Sequence, residues 1–267
     1  MGRVIDQDVL YQSPSWLLCG ILLVVLAVAI ELGFRIGFAR RQQSEAAAAG
    51  AGTMETAVFG LFGLLLALTF SFVVSRGDDR RRLTLEETNA IGTAYLRCDI
   101  APDPLRGELR AKMRAYVDQR VIHAEAGNDL LLVADAARRA VALQGEIWSA
   151  AVGLVRAHPD ADAYALLIEA LNQMIDMQSA RDAMLQAHLP PAVLLFLALT
   201  ATVTALVAGY TLGLAGQRHT LATVGFVLLT VFVMFVIVDM DRPRQGVFRA
   251  PTGLLLELQA DMQQEAP

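Results

Sequence analysis

The chain reads as an all-α integral membrane protein: four transmembrane helices, with a helical bundle inserted between the second and the third. Three observations predict this. The stretches Val9–Ile30, Thr56–Ser75, Leu189–Gln217 and Thr220–Val238 contain no Asp, Glu, Lys or Arg, and about 20 apolar residues suffice to cross roughly 30 Å of hydrocarbon. The stretches come as two pairs, and what separates the pairs is charged and helix-forming. None alternates apolar with polar residues as the strands of a membrane barrel do, so in lipid each must satisfy its backbone as a helix. Composition agrees, with 55% hydrophobic and 18% charged residues against roughly 45–50% and 25% in soluble domains. The expected parts are 1–77 for the first membrane pair, 78–188 for the inserted bundle, 189–238 for the second pair and 239–267 for the C-terminal segment.

The leading segment carries Asp6 and Asp8 against a single Arg3. A secretory signal needs a basic start, so the first apolar run is expected to stay as a helix. At its far end Glu31 and Arg35 lie four apart, the spacing of an intrahelical ion pair. The second run has two candidate working faces. One is a small-residue stripe, Gly60, Gly63 or Leu64, Ala67 and Ser71; the other is bulky, Phe59 or Phe62, Leu66, Phe70 and Val73. Small residues let helices approach closely or line a narrow tube, and bulky apolar ones can close a pore by dewetting. Beyond them, Arg76, Asp78, Asp79, Arg80, Arg81 and Arg82 form a charged knot at headgroup level, suited to anionic lipid or to a vestibule of a symmetric assembly.

Four helices are expected in the insert. Thr84–Asp99 opens on Thr84 and Glu87 in capping-box spacing. Pro102 and Pro104 precede Leu105–Ala126, with Leu105, Leu109, Met113, Tyr116 or Val117, and Arg120 on one face. Asn128 or Asp129 caps Leu130–Ala157, and Asp160 or Asp162 caps Ala163–His188, whose stripe runs Leu167, Leu171, Met174 or Ile175, Gln178. The remaining charges, Glu86 and Glu87, Asp176 with Arg181, Arg138 with Arg139, read as a solvated face. The third and fourth membrane runs are joined only by Gly213–His219 and must form an antiparallel hairpin, in which Thr200, Thr202, Thr204 and Thr211 can return their hydroxyls to the backbone. Asp239 and Asp241 with Arg242 and Pro243 suggest an ion-paired exit from the membrane. The amphipathic Gly253–Met262 then lies on the bilayer or docks on the bundle.

Several chemistries find no support. The sequence holds no GxGxxG, GxxxxGK[ST], HExxH or GxSxG, so no enzyme class is indicated. No basic stripe points to nucleic acid. The histidines His123, His158, His188 and His219 are scattered, Cys19 and Cys98 lie far apart, and no metal or cofactor is expected.

Together, the arginines after the second run, Glu86–Arg97, Leu171–Asp176 with Arg181, the helix start at Pro190 and Asp239–Pro243 resemble the bestrophin-like family of bacterial membrane proteins. The resemblance implies kinship with bestrophins, which are pentameric ion channels with four membrane helices, a helical cytoplasmic domain, cytoplasmic termini and a pore lined by the second helix. It therefore implies a homo-oligomeric channel for small inorganic ions in the bacterial cytoplasmic (inner) membrane. The pore-lining candidates are then Gly60, Gly63, Leu66, Ala67, Phe70 and Ser71; the vestibule candidates are Glu31, Asp78, Asp79, Arg80, Asp239 and Asp241. No paired tryptophans follow Arg76 and no long acidic cluster follows the fourth helix, so calcium gating is not implied. The rival reading is a nonconducting membrane protein whose helical domain binds a partner.

Orientation follows from the arginines near the helix ends. Nine (Arg3, Arg76, Arg80, Arg81, Arg82, Arg181, Arg242, Arg244 and Arg249) share the side of both termini and the insert, against four (Arg35, Arg40, Arg41 and Arg218) on the other. Both termini and the insert should face the cytoplasm. A fluorescent protein fused after Pro267 should accordingly be bright and an alkaline phosphatase fusion there inactive.

Overall fold

The computed structural model describes residues 14–41, 45–242 and 252–265, with backbone alone at 45–50. Expectations resting on Val9–Ser13, Arg3, Asp6, Asp8, Pro243, Arg244, Arg249 and Pro267 lie outside the described residues. Among those described there are eight α-helices and no strand: α1 Ser15–Arg40, α2 Glu45–Arg97, α3 Leu105–Glu125, α4 Leu130–Ala157, α5 Ala163–Gln186, α6 Pro191–Ala215, α7 Thr220–Met240 and α8 Gly253–Gln264. Four of them carry stretches long and apolar enough to span a membrane, in α1, α2, α6 and α7. The chain is an all-α membrane protein. It divides into two units, residues 14–41, 45–76 and 188–242 in one and 77–187 and 252–265 in the other.

The membrane unit is organised by glycine. Gly33 and Gly37 of α1 face Leu206 and Tyr210 of α6, and a Cβ built on either would sit 2.1 Å from a carbonyl oxygen. The relation is reciprocal, because Gly209 and Gly213 of α6 press on Ile30 and Phe34 of α1, at 2.1 and 2.3 Å. Two GxxxG segments, 33–37 and 209–213, thus bring the backbones of α1 and α6 together, which is how helices associate where lipid removes the hydrophobic drive. Around this seam Leu26, Phe62, Leu197, Ala201, Ala205 and Met234 form one apolar core. Val73, Leu189, Leu194 and Ile237 form another. The hairpin turn between α6 and α7 closes on Gly216 at φ 68°, a left-handed position that favours glycine. Thr200, Thr202, Thr204 and Thr211 donate to carbonyls three or four residues back.

In the second unit the expected helix start fails. Thr84 does not start a helix, because α2 runs unbroken for 53 residues, roughly 80 Å. No proline interrupts the chain between Ser75 and Thr84, and pairs three residues apart, Asp78 with Arg81 and Asp79 with Arg82, support the turn there. Thr84 instead donates to the Arg80 carbonyl at 2.9 Å. A 3₁₀ turn, Cys98–Ile100, ends the run before the prolines. Asp129 caps α4 by accepting from Leu131 and Leu132 at 3.1 and 3.0 Å. Asp162, by contrast, makes no capping bond with its side chain. The core holds Ile91, Leu109, Met113, Ile147, Leu171 and Met174, and it also takes in Leu255 and Met262. Of the two places open to the C-terminal amphipathic helix, α8 therefore occupies the bundle surface, where Gln259 donates to Asp118 at 2.6 Å.

The glycines of the seam and those of α2 should respond in opposite ways. Gly209→Ala forces its new methyl against the Ile30 carbonyl and should cost about 1–3 kcal/mol. Gly60→Ala meets nothing within 4 Å and should leave stability unchanged or raise it by up to about 1 kcal/mol through helix propensity. Denaturant unfolding in micelles separates the two.

Candidate functional site

Successive residues of a helix turn by roughly 100°, so contacts along α2 define its faces. One face packs on its own chain. Phe62 and Val73 are buried in the two apolar cores, Leu66 packs against both, and the Phe59 ring lies tilted against that of Phe226 with centroids 5.0 Å apart. Roughly a third of a turn away lie Gly60, Gly63, Ala67, Phe70 and Ser71, all exposed. A Cβ added to Gly60 or Gly63 would meet no atom within 4 Å. Of the four apolar spans, that of α2 is the least covered: 11% of its most apolar stretch is buried, against 28% in α1, 28% in α6 and 22% in α7.

The two faces read from the sequence are thereby separated, and their membership changes. The bulky series does not hold together, because Phe62, Leu66 and Val73 bind α2 to its own chain while Phe70 stands with the small residues. Leu66 drops out of the open stripe for this reason.

The charged candidates also divide. Asp78 and Asp79 are exposed or half-exposed, paired with Arg81 and Arg82 at 3.7 and 3.6 Å. Arg80 lies on the packed face, 5% exposed, and donates to the Ala187 carbonyl at 3.2 Å. Asp241 is 1% exposed; both its oxygens accept from the Leu189 amide at 3.0 Å, and Arg76 stands 3.7 Å away. This carboxylate holds the start of α6 against the end of α7. Asp239 is buried beside it. Arg80, Asp239 and Asp241 are thus taken up within the chain and cannot form an open charge ring. Glu31 remains at the surface, bridging Arg35 at 2.9 Å and Arg218 at 3.0 Å, and Arg218 also covers the Phe34 ring at 4.0 Å.

The sequence reading missed a buried ionic centre in the second unit. Glu87 and Arg120 have no exposed side-chain surface, and Arg181 is nearly as buried. Arg120 donates to Glu87 at 2.7 Å and to Asp182 at 3.0 Å, and Arg181 pairs with the other oxygen of Glu87. Tyr116 donates to Gln178 at 3.0 Å, Gln144 reaches both of them, and Gln178 donates to Asp182 at 3.2 Å. The solvated face assigned to Glu87 and Arg181 is therefore corrected, while Arg138 and Arg139 do lie at the surface, paired with Asp135. A signal existed. Glu87, Arg120 and Arg181 each fall in register with an apolar stripe, Ile91 on α2, Met113 and Tyr116 on α3, Leu171 and Met174 on α5. Charges of opposite sign on stripes that face one core have to pair.

Electrostatics inside this centre lock its charge states. Burial alone would raise the Asp182 carboxyl, but the Arg120 charge and hydrogen bond outweigh it and hold Asp182 below the usual carboxylate range. Burial would likewise lower the Arg120 guanidinium, and Glu87 beside it raises it instead. For Tyr116 burial dominates and pushes the phenol up. The centre thus pairs two acidic side chains, Glu87 and Asp182, with two guanidiniums, Arg120 and Arg181.

The Bestrophin-like domain family matches residues 21–252. The chain belongs to the bestrophin-like family. Its fold is similar to that of a bacterial Bestrophin homolog from Klebsiella pneumoniae, with 16% identity, a TM-score of 0.62, and coverage of 91% of this chain and 99% of that one. A single-substitution variant of that homolog gives 14% identity, a TM-score of 0.67, and coverage of 92% and 96%. A third crystal structure, described as a membrane protein, gives 16%, 0.63, and 92% and 100%. No curated protein matches the chain. At such identities the likeness establishes the fold, and the match extends across nearly the whole of this bestrophin-like chain.

The ionic centre predicts a sharp contrast between neighbours. Glu87→Gln leaves two buried guanidiniums with one carboxylate and should destabilise the protein by about 3–5 kcal/mol. Glu86→Gln, on a half-exposed side chain, should stay within about 0.5 kcal/mol. Denaturant midpoints of the two variants in the same detergent measure both.

Proposed function

We propose that this bestrophin-like protein is a homo-oligomeric ion channel rather than an enzyme, with copies of α2 gathered round a common axis. The observation that carries the reading is the open face of α2: Gly60, Gly63, Ala67, Phe70 and Ser71 have no cover from their own chain, although this helix is held firmly on its other side. A helix that leaves its smallest residues unpacked suits a ring, where small side chains leave room for ions and a bulky one narrows the passage. In that ring Phe70 forms the apolar constriction and Gly63 the wide turn above it. Asp78 and Asp79 bias which ions enter at the inner mouth, and Glu31 with Arg35 and Arg218 flanks the outer one. Five copies is the number implied by kinship with bestrophins. Both termini and the second unit face the cytoplasm of a bacterium, and the protein sits in its inner membrane.

A nonconducting interaction protein is the second reading, and it also has an observation in its favour. Leu130, Leu131 and Leu132 at the start of α4 are exposed to 68%, 85% and 42%, an apolar tip that a cytoplasmic partner could cover.

Purified protein in planar bilayers should show unitary currents. Phe70→Ala should raise conductance or open probability severalfold, Gly63→Leu should abolish current, and Leu66→Ala should alter stability with little effect on conductance. Silence from folded, assembled protein would refute conduction. A phenotype lost with Leu131→Ser but kept with Gly63→Leu would select the second reading.

A further inference from the structure

In the second unit α4 and α5 leave a cleft of about 380 Å³ between them, lined by Val141, Gln144, Gly145, Trp148, Asn172 and Ile175. That volume falls at the low end of small-molecule sites, which run from roughly 300 to 1,000 Å³. Gly145 helps to open it, since a Cβ added there would meet no atom within 4 Å. None of the lining residues is charged.

The polar groups of the cleft can be assigned atom by atom, because an ionised carboxylate only accepts hydrogen bonds. Gln178 turns its amide nitrogen to Asp182 at 3.2 Å, so its oxygen is the atom that receives the Tyr116 hydroxyl at 3.0 Å. Gln144 must then present its nitrogen to that same oxygen and to Tyr116. Both N–H groups of Gln144 are thereby used, and its oxygen is left over. Among the described residues nothing donates to this oxygen; Gln144 is only 8% exposed, yet the oxygen is not sealed from solvent. It therefore opens into the cleft that Gln144 lines. On the other wall Asn172 gives its nitrogen to Asp176 at 3.3 Å, which leaves a second acceptor oxygen by the same rule.

The cleft thus offers two carbonyl oxygens, an indole ring and two aliphatic side chains, and no cation of its own. Its oxygens need N–H or O–H donors from whatever fills the space, and an indole attracts positive charge over its face. An anion would meet carbonyl dipoles of the wrong sign. We propose that this cleft binds a small organic cation with N–H donors, of the guanidinium or primary ammonium class. Its N–H groups are held by Gln144 and Asn172, its charge lies against Trp148, and its aliphatic part lies along Val141 and Ile175. The proposal is independent of conduction, since no residue of α2 lines the cleft.

Trp16 and Trp148 are the two tryptophans of the chain, so full-length protein in detergent carrying Trp16→Phe reports on Trp148 alone. Butylguanidinium chloride should bind with a calorimetric Kd of about 10 mM or below and should shield Trp148 from quenching by acrylamide. N-Butylurea, nearly the same shape without the charge, should bind about fivefold more weakly or worse. Gly145→Leu fills the open space and should abolish binding while the protein stays folded. Asn172→Ala, on an exposed side chain, should weaken binding about threefold or more. Folded protein that does not bind butylguanidinium, equal affinity for butylurea, or unchanged affinity in Gly145→Leu or in Asn172→Ala would each overturn the proposal.

Discussion

Backbone touches backbone where α1 meets α6, and the rest of the membrane unit is arranged by that contact. In hydrocarbon, burying leucine against leucine gains little over leaving it in lipid, so close approach and dispersion decide which helices associate. Gly33, Gly37, Gly209 and Gly213 permit the approach, and no side chain could replace them without moving a helix. Once α1, α6 and the hairpin partner α7 are joined, α2 has room for only one packed face, built on Phe62 and Val73. Its other face is left open as a consequence, and the proposed pore is what the seam leaves over.

The second unit solves a different problem. It has an ordinary apolar core, yet it buries Glu87 and Arg120 completely. Such a centre contributes little net stability compared with apolar residues of the same volume. What it does supply is register: the paired oxygens of Glu87 face Arg120 on one side and Arg181 on the other, and a shift of one turn in α2, α3 or α5 would strand a charge in the core.

The positions of the helices were legible from the chain because charge-free runs and prolines are local signals, and α4 covers the expected Leu130–Ala157, with Asp129 rather than Asn128 as its cap. The start expected at Thr84 shows the limit of such signals. A capping box marks a helix start only where the preceding residues are not helical already, and the ion pairs after Gly77 keep them so. Among the residues singled out in the sequence, Gly60, Gly63, Ala67, Phe70 and Ser71 are exposed, whereas Leu66, Arg80, Asp239 and Asp241 turn inward. Sequence spacing places residues on a face but does not say which face is covered.

By itself, then, the sequence determined the class of molecule, the number of spans and the residues on each helical face, since these follow from bilayer thickness and the 3.6-residue turn. Only the tertiary structure decided how each helix is rotated about its axis. That choice depends on which glycines meet a neighbouring backbone and which charges find a partner across the core, and both are contacts between residues about a hundred or more positions apart in places, as for Arg181 with Glu87 and Arg218 with Glu31.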